Sequence, residues 1–336
     1  MATGEDYLGK LYRFSREWDD DSRDDARDCY RYQGAMDEIA FNARLRYTDY
    51  PTFSTPNAFF RALCEWLGNV DDKESRKALF RMLSYICFID RKQMVALYRD
   101  VLRRIIAPWV LEGFATPEML LSGDYDRILV ARIRKFPFCS ITESARLLDF
   151  KQVNCLIGLP KGRILGEDPK KVAVMLPDRG KNISGLIVVE DIVASGNQAL
   201  RTLTVVAREK NPSWRVLFCP LIILECGLER IVNAPQLQGI DIRPGLVLPD
   251  VSCVRQARTP GEPADFESFR TIIKQTAARV LEKYGNTDDP PKSEWGYGDC
   301  GAFLVTCHNT PNNTLPLIHH RSRSWSPLFQ RVHHGG

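Results

Sequence analysis

The chain has 336 residues, 44% of them hydrophobic and 26% charged, and its 46 basic and 42 acidic side chains leave a net charge of +4. That length fits two domains, or one large domain with an appendage, and the composition supports a buried core rather than disorder. A charge balance this even gives no electrostatic footprint for nucleic acid, and there is no run of about 18 apolar residues to span a membrane.

The first residues, Met1 to Asp6, are acidic and lack the apolar stretch of a signal peptide. Ten cysteines are scattered along the chain without C-x-x-C spacing, several in apolar runs such as Ile86-Cys87-Phe88 and Leu217-Phe218-Cys219. They read as reduced core residues of a cytoplasmic protein rather than as zinc ligands.

Residues 1–50 are rich in charge and aromatics, with acidic clusters at Asp19-Asp20-Asp21 and Asp24-Asp25 that read as a solvated helix and loop. From about residue 56 the apolar residues recur at helical spacing. Phe59, Phe60, Leu63, Trp66 and Leu67 form one stripe, Leu79, Met82, Leu83 and Ile86 a second, and Val95, Tyr98, Val101, Leu102, Ile105 and Trp109 a third. Asn69-Val70-Asp71-Asp72 and Ile89-Asp90 separate them, so 1–115 is expected to be a helical region.

The texture then changes to short apolar runs bounded by Gly, Pro and Asp: Ile128–Ile133, Val153–Leu159, Val172–Leu176, Leu186–Val189, Val216–Leu224 and Gly245–Leu248. Continuous apolarity predicts strands buried on both faces. Helical stretches at Gln198–Glu209 and Phe266–Tyr284, the second closed by Gly285, alternate with them. The fold class expected for 116–290 is therefore α/β with a parallel sheet. A polar loop over 285–294 leads to a compact strand and loop unit, taken as 291–336, with a strand at Ala302–Cys307 and a frayed end after Arg331.

The segment richest in chemistry is Leu186-Ile187-Val188-Val189-Glu190-Asp191-Ile192-Val193-Ala194-Ser195-Gly196-Asn197-Gln198. It reads as a strand, two carboxylates at its C-terminal end, a loop of small residues and a helix start. In open α/β sheets ligands bind beyond the C-terminal ends of the strands. Backbone N–H groups of such a loop, with a helix N-terminus behind them, cradle a phosphate. Ser195 adds a hydroxyl, and Gly196 lets the backbone approach closely. Glu190 and Asp191 can accept from vicinal ribose hydroxyls and stabilise positive charge at an anomeric carbon. The plainer reading is a strand ending with ordinary helix capping.

This stretch resembles the 5-phosphoribosyl-1-pyrophosphate motif of type I phosphoribosyltransferases, with Glu190 and Asp191 on the acidic pair and Ala194, Ser195, Gly196, Asn197 and Gln198 on the phosphate loop. Asn197 stands where those enzymes usually have a second Gly, and Gln198 where they usually have Thr; both can still donate to phosphate. More narrowly, the chain resembles a phosphoribosyltransferase-like family of bacterial conflict (anti-phage) systems. That resemblance rests on the carboxylate pair followed by Ser-Gly-Asn-Gln, on the C-terminal Gly-Asp-Cys and His-Asn-Thr-Pro-Asn-Asn-Thr-Leu-Pro-Leu block and on the preceding helical region, over most of 50–331. It implies a parallel-sheet phosphoribosyltransferase-type core with a C-terminal hood-like unit. It also implies Mg²⁺ near Glu190 and Asp191 through the ribose and its water shell, and a phosphoribosyl small molecule or nucleotide as ligand.

Two basic loops are further candidates. Lys161 and Arg163 follow an apolar run, and Arg179 and Lys181 precede the acidic strand; either pair could neutralise pyrophosphate or be a simple basic turn. In the C-terminal block, His308 and Asn309 are candidates for the hood, as acid or base and as hydrogen-bonding edge. The alternatives are a packed histidine at a strand end and self-satisfied Asx turns, the latter preferred at Asn312 and Asn313. Gly296-Tyr297-Gly298-Asp299-Cys300-Gly301 matches G-x-G-x-x-G but precedes a strand-like run instead of opening a helix, which argues against a dinucleotide site. Three functions stay open: an enzyme acting at C1 of a phosphoribosyl compound, a sensor that binds without turnover, and an adaptor docking a protein partner through its helical half.

Overall fold

The computed structural model describes residues 6–22, 31–114, 125–142, 147–154, 183–283 and 291–332. In chain order its helices are α1 (Tyr7–Ser22), α2 (Tyr32–Leu45), α3 (Pro56–Leu67), α4 (Lys73–Met82), α5 (Arg91–Asp100), α6 (Ala107–Leu111), α7 (Tyr125–Ile133), α8 (Leu147–Val153), α9 (Asn197–Glu209), α10 (Glu225–Val232), α11 (Phe266–Val280) and α12 (Pro316–His319). Its strands are β1 (Cys87–Ile89), β2 (Phe138–Cys139), β3 (Gly185–Val193), β4 (Arg215–Leu224), β5 (Ile240–Ile242), β6 (Leu246–Leu248) and β7 (Leu304–Thr306). Among the described residues no helix is long and apolar enough to cross a membrane.

The chain divides into two compact units, one made of residues 1–91 and 251–336, the other of 92–250. The first unit is therefore discontinuous, and the second is an insertion within it. Its helices start where the sequence supplies caps. Thr55 accepts from the Ala58 N–H ahead of Pro56, and Asp72 accepts from the Ser75 N–H at 2.7 Å. β1 pairs in parallel with β7, Cys87 opposite Leu304 and Ile89 opposite Thr306. The core is aromatic. The Phe329 ring lies 5.5 Å from Tyr47, 5.2 Å from Tyr50, 5.6 Å from Phe53 and 5.9 Å from Phe88. The indole N–H groups of Trp66 and Trp325 both donate to the Leu317 carbonyl at 2.8 Å, tying α3 to the C-terminal segment.

The second unit holds a parallel sheet in the order β2-β3-β4-β5, with β6 also on β4. β5 pairs with Val216–Phe218 and β6 with Ile222–Leu224, so Pro220, which has no N–H to give, falls between the two ladders. Between β3 and β4 runs α9, whose buried face is Ala199, Thr202, Leu203 and Val206 at helical spacing. The helix from α5 to α6 is continuous but widens into a π-turn over Val101–Ile106, directly before Pro108, which cannot donate to the preceding turn.

Several expectations change. Ile128–Ile133, read as a strand, is part of α7: Val130 is exposed, Ile133 alone of that stretch is fully buried, and Asp126 and Arg132 suit the helix ends. Ile86 precedes β1 instead of closing a helix. Val153 ends α8, while 155–159 and Val172–Leu176 lie outside the described residues. Helix α11 stops at Val280, and Gly285 also lies outside them. The strand expected at Ala302–Cys307 is shorter, Leu304–Thr306.

Because Phe329 stands among five other rings, Phe59 included at 6.0 Å, Phe329→Ala is expected to lower stability by about 3–5 kcal/mol. Denaturant unfolding measures this, and a loss below about 1 kcal/mol would show that the ring cluster is not cohesive.

Candidate functional site

The candidate site is built where β3 meets α9. Leu186, Ile187 and Val188 are fully buried and fix the strand between β2 and β4. β3 does not stop at Val189, because Ile192 and Val193 continue the ladder with Ile222 and Ile223. The acidic pair therefore lies within the strand, with Ile192 and Val193 still to follow, and not at its C-terminal end as the sequence predicts. Consecutive strand residues point to opposite faces, so Glu190 and Asp191 diverge.

Glu190 is 4% exposed. Its Oε2 accepts the N–H groups of Ile141 at 2.8 Å and Thr142 at 3.1 Å, and its Oε1 accepts the Thr142 hydroxyl. These two residues follow β2, whose parallel pairing with β3 sets Cys139 against Val188. Burial pushes the Glu190 carboxyl up to about 8, against the opposing effect of the Thr142 hydroxyl and with help from the neighbouring Asp191 charge. Glu190 is thus held toward its neutral form, while Asp191, next in sequence, is partly exposed.

After β3 the chain turns through Ala194, Ser195 and Gly196 into α9. Gly196 adopts φ +72°, a left-handed conformation that disfavours side chains. It also meets α10: a Cβ at Gly196 would lie 2.8 Å from the Gly227 carbonyl oxygen, and one at Gly227 would lie 2.1 Å from the Ala194 carbonyl oxygen. Neither position accepts a side chain without separating the loop from α10. Ser195 is buried, and its Oγ lies 3.5 Å from the Asn197 N–H. The helix ladder begins with the Leu200 N–H donating to the Gly196 carbonyl at 2.8 Å, so the amides of the first turn point out of the N-terminus toward an anion. Asn197 accepts a hydrogen bond from Arg230 Nη1 of α10, and Gln198 is exposed.

Glu190, Asp191, Ala194, Ser195, Gly196, Asn197 and Gln198 are thus gathered on one strand, turn and helix start of the inserted unit. Lys161, Arg163, Arg179 and Lys181 lie outside the described residues. His308 and Asn309 belong to the discontinuous unit. There the Asn309 side chain is a brace: Nδ2 donates to the Val332 carbonyl at 2.7 Å, and Oδ1 accepts from the N–H groups of Thr310 and Val332 at 2.9 Å. Asn313 donates to the Tyr297 carbonyl at 2.8 Å, a contact 16 residues away in sequence rather than the local Asx turn expected of it.

Sequence reasoning missed two participants. The amides of Ile141 and Thr142 follow a two-residue strand, too short for any periodicity to reveal. Arg230 could have been found from Glu225-Cys226-Gly227, a second strand-to-helix junction with a glycine placed just after an apolar run.

With this geometry in hand, the comparison with known families is direct. The chain belongs to the PRTase-CE family, a phosphoribosyltransferase-like family whose sequence model matches residues 63–331. The α/β architecture with its parallel sheet agrees with that membership. No curated protein and no solved structure matches the chain.

The raised carboxyl of Glu190 has a consequence for stability. The folded state holds its proton more tightly than the unfolded chain, so the contribution is complete below the ordinary value of 4.5 and is lost as pH rises through about 8. Thermal unfolding of the wild type is expected to show stability falling across that window. Glu190→Gln, which keeps acceptor and donor but cannot ionise, is expected to flatten the slope; an unchanged slope would assign it to another group.

Proposed function

We propose that the chain is a Mg-dependent phosphoribosyltransferase-like enzyme acting on a phosphoribosyl substrate, 5-phosphoribosyl-1-pyrophosphate or a nucleotide, at the C1 bond. The observation that carries this reading is the passage from a partly exposed carboxylate, Asp191, through a three-residue turn with left-handed Gly196 to the N-terminus of α9, in a chain of a phosphoribosyltransferase-like family.

In this reading the amides opening α9, with Ser195 and Gln198, hold the 5-phosphate. Asp191 accepts from the ribose hydroxyls. As the bond from C1 to the leaving group breaks and the bond to the acceptor forms, Asp191 stabilises the positive charge on the ring. Glu190, neutral and buried, holds the Ile141–Thr142 segment beside β3, where its proximity suits a contact to the leaving group. Lys161, Arg163, Arg179 and Lys181 remain candidate pyrophosphate contacts, and His308 and Asn309 candidate hood residues. Among the described residues no three His, Cys, Asp or Glu side chains gather as a metal cage. Among the described residues of this segment, Asp191 fits the way Mg²⁺ is commonly bound, by one or two carboxylates with substrate oxygens and water. Bound there, the ion would neutralise charge on the pyrophosphate. The described cysteines Cys64, Cys87, Cys139, Cys219, Cys226, Cys253, Cys300 and Cys307 are free, which supports a reducing, cytoplasmic setting. An anti-phage effector that consumes or modifies nucleotides is the role that fits such an enzyme in a conflict system.

The second reading is a sensor on the same fold, favoured by the buried Ala194-Ser195-Gly196 turn and by the departures at Asn197 and Gln198. One experiment separates the two. Incubated with 5-phosphoribosyl-1-pyrophosphate and Mg²⁺, the wild type is expected to release pyrophosphate, and Asp191→Asn to lose about 10²–10³-fold of the rate. Tight binding without release would establish the sensor; no binding would sink both.

A further inference from the structure

The phosphate loop of this chain departs from the usual motif at two positions, and α10 supplies what stands beside the first of them. The close approach of Gly196 and Gly227 locks α10 against the turn, with Cys226 Sγ also 3.8 Å from the Ala194 carbonyl oxygen. Arg230 is three residues beyond Gly227 and so lies on the same helix face. Its guanidinium reaches the first residue of α9, where Nη1 donates to Asn197 Oδ1.

The chemistry of this pair is directional. A guanidinium only donates, so the Asn197 atom facing it is the carbonyl oxygen. The two N–H donors of Asn197 Nδ2 are therefore turned away from Arg230 and are free of that contact. Among the described residues the polar partner of Arg230 is this neutral amide, and no carboxylate pairs with it. Arg230 is also exposed. A guanidinium with no carboxylate partner among the described residues, an oriented amide and the first-turn N–H groups of a 13-residue helix thus stand together at one point. That combination suits a phosphate dianion, which a guanidinium binds through charge-assisted and often paired hydrogen bonds.

We infer that Arg230 and Asn197 act as a two-residue clamp for the 5-phosphate of the ligand, Arg230 supplying charge and Asn197 a donor fixed in orientation by Arg230. This rests on the phosphoribosyl reading of the site and identifies what replaces the missing Gly and Thr of the ordinary loop. The clamp recognises the monophosphate end of the ligand and is indifferent to the leaving group at C1.

Equilibrium binding of 5-phosphoribosyl-1-pyrophosphate, ribose 5-phosphate and inorganic pyrophosphate, each with Mg²⁺, tests the clamp in the full-length wild type and in Arg230→Ala, Arg230→Lys and Asn197→Asp. Arg230→Ala is expected to weaken both ribose 5-phosphate ligands by at least about tenfold and to leave pyrophosphate unchanged. Arg230→Lys should recover part of the loss, because charge returns without the planar fork. Asn197→Asp keeps a partner for Arg230 but opposes the phosphate, so it should weaken the same two ligands while preserving the melting temperature. Unchanged affinity in Arg230→Ala, or equal weakening of all three ligands, would overturn the clamp and leave the phosphoribosyl reading intact. Failure of the wild type to bind either ribose 5-phosphate ligand would overturn that reading, and the clamp with it.

Discussion

Two glycines facing each other at less than side-chain distance set the geometry of the inserted unit's ligand end. Gly196 must be glycine twice over, for its left-handed φ and for the carbonyl of Gly227 behind it; Gly227 must be glycine because the Ala194 carbonyl occupies the place of its side chain. With both positions bare, the turn after β3 and the start of α10 become one packed layer. The direction of α9, the outward aim of its first amides and the reach of Arg230 to Asn197 all follow from that contact. A methyl group at either glycine would push the turn and α10 apart.

The acidic strand shows a second constraint, from solvation. Two neighbouring carboxylates look equivalent in a sequence, yet the alternation of a strand sends them into different surroundings. Glu190 is buried, which favours proton uptake against the opposing pull of the Ile141 and Thr142 amides that donate to it. Asp191 stays nearer water.

Much of the inserted unit is readable from its residues, for reasons that can be named. β3 and β4 stand out because strands covered on both faces need unbroken apolar runs, and α9 because its buried positions fall at helical spacing. Ile128–Ile133 misleads because a short apolar run is equally at home in a helix; what decides is burial, which the run does not reveal. Glu190's attachment to Thr142 spans 48 residues of sequence, and Arg230's to Asn197 spans 33, distances over which spacing says nothing about contact. Texture changes near residues 115 and 290, whereas the compact units part at Arg91 and Val251. The difference arises because β1 finds its parallel partner in β7, beyond the whole inserted unit.

That pairing orders events in time. Cys87 lies against Leu304, and the ring of Phe329 sits among Tyr47, Tyr50 and Phe53, so the first unit cannot close until residues as far as Phe329 have left the ribosome. The inserted unit, whose strands β3 and β4 are joined by a short helical crossover, needs no residue beyond 250 and can form first. Contacts of such large sequence separation form slowly, because the entropy of closing the loop precedes any gain from packing. During synthesis Phe59, Trp66 and Leu67 on α3 therefore wait without the C-terminal residues that later cover them, Phe329 and the Leu317 carbonyl among them. A chain cut before Leu304 would lack both the partner strand of β1 and the ring of Phe329, which belong to the first unit.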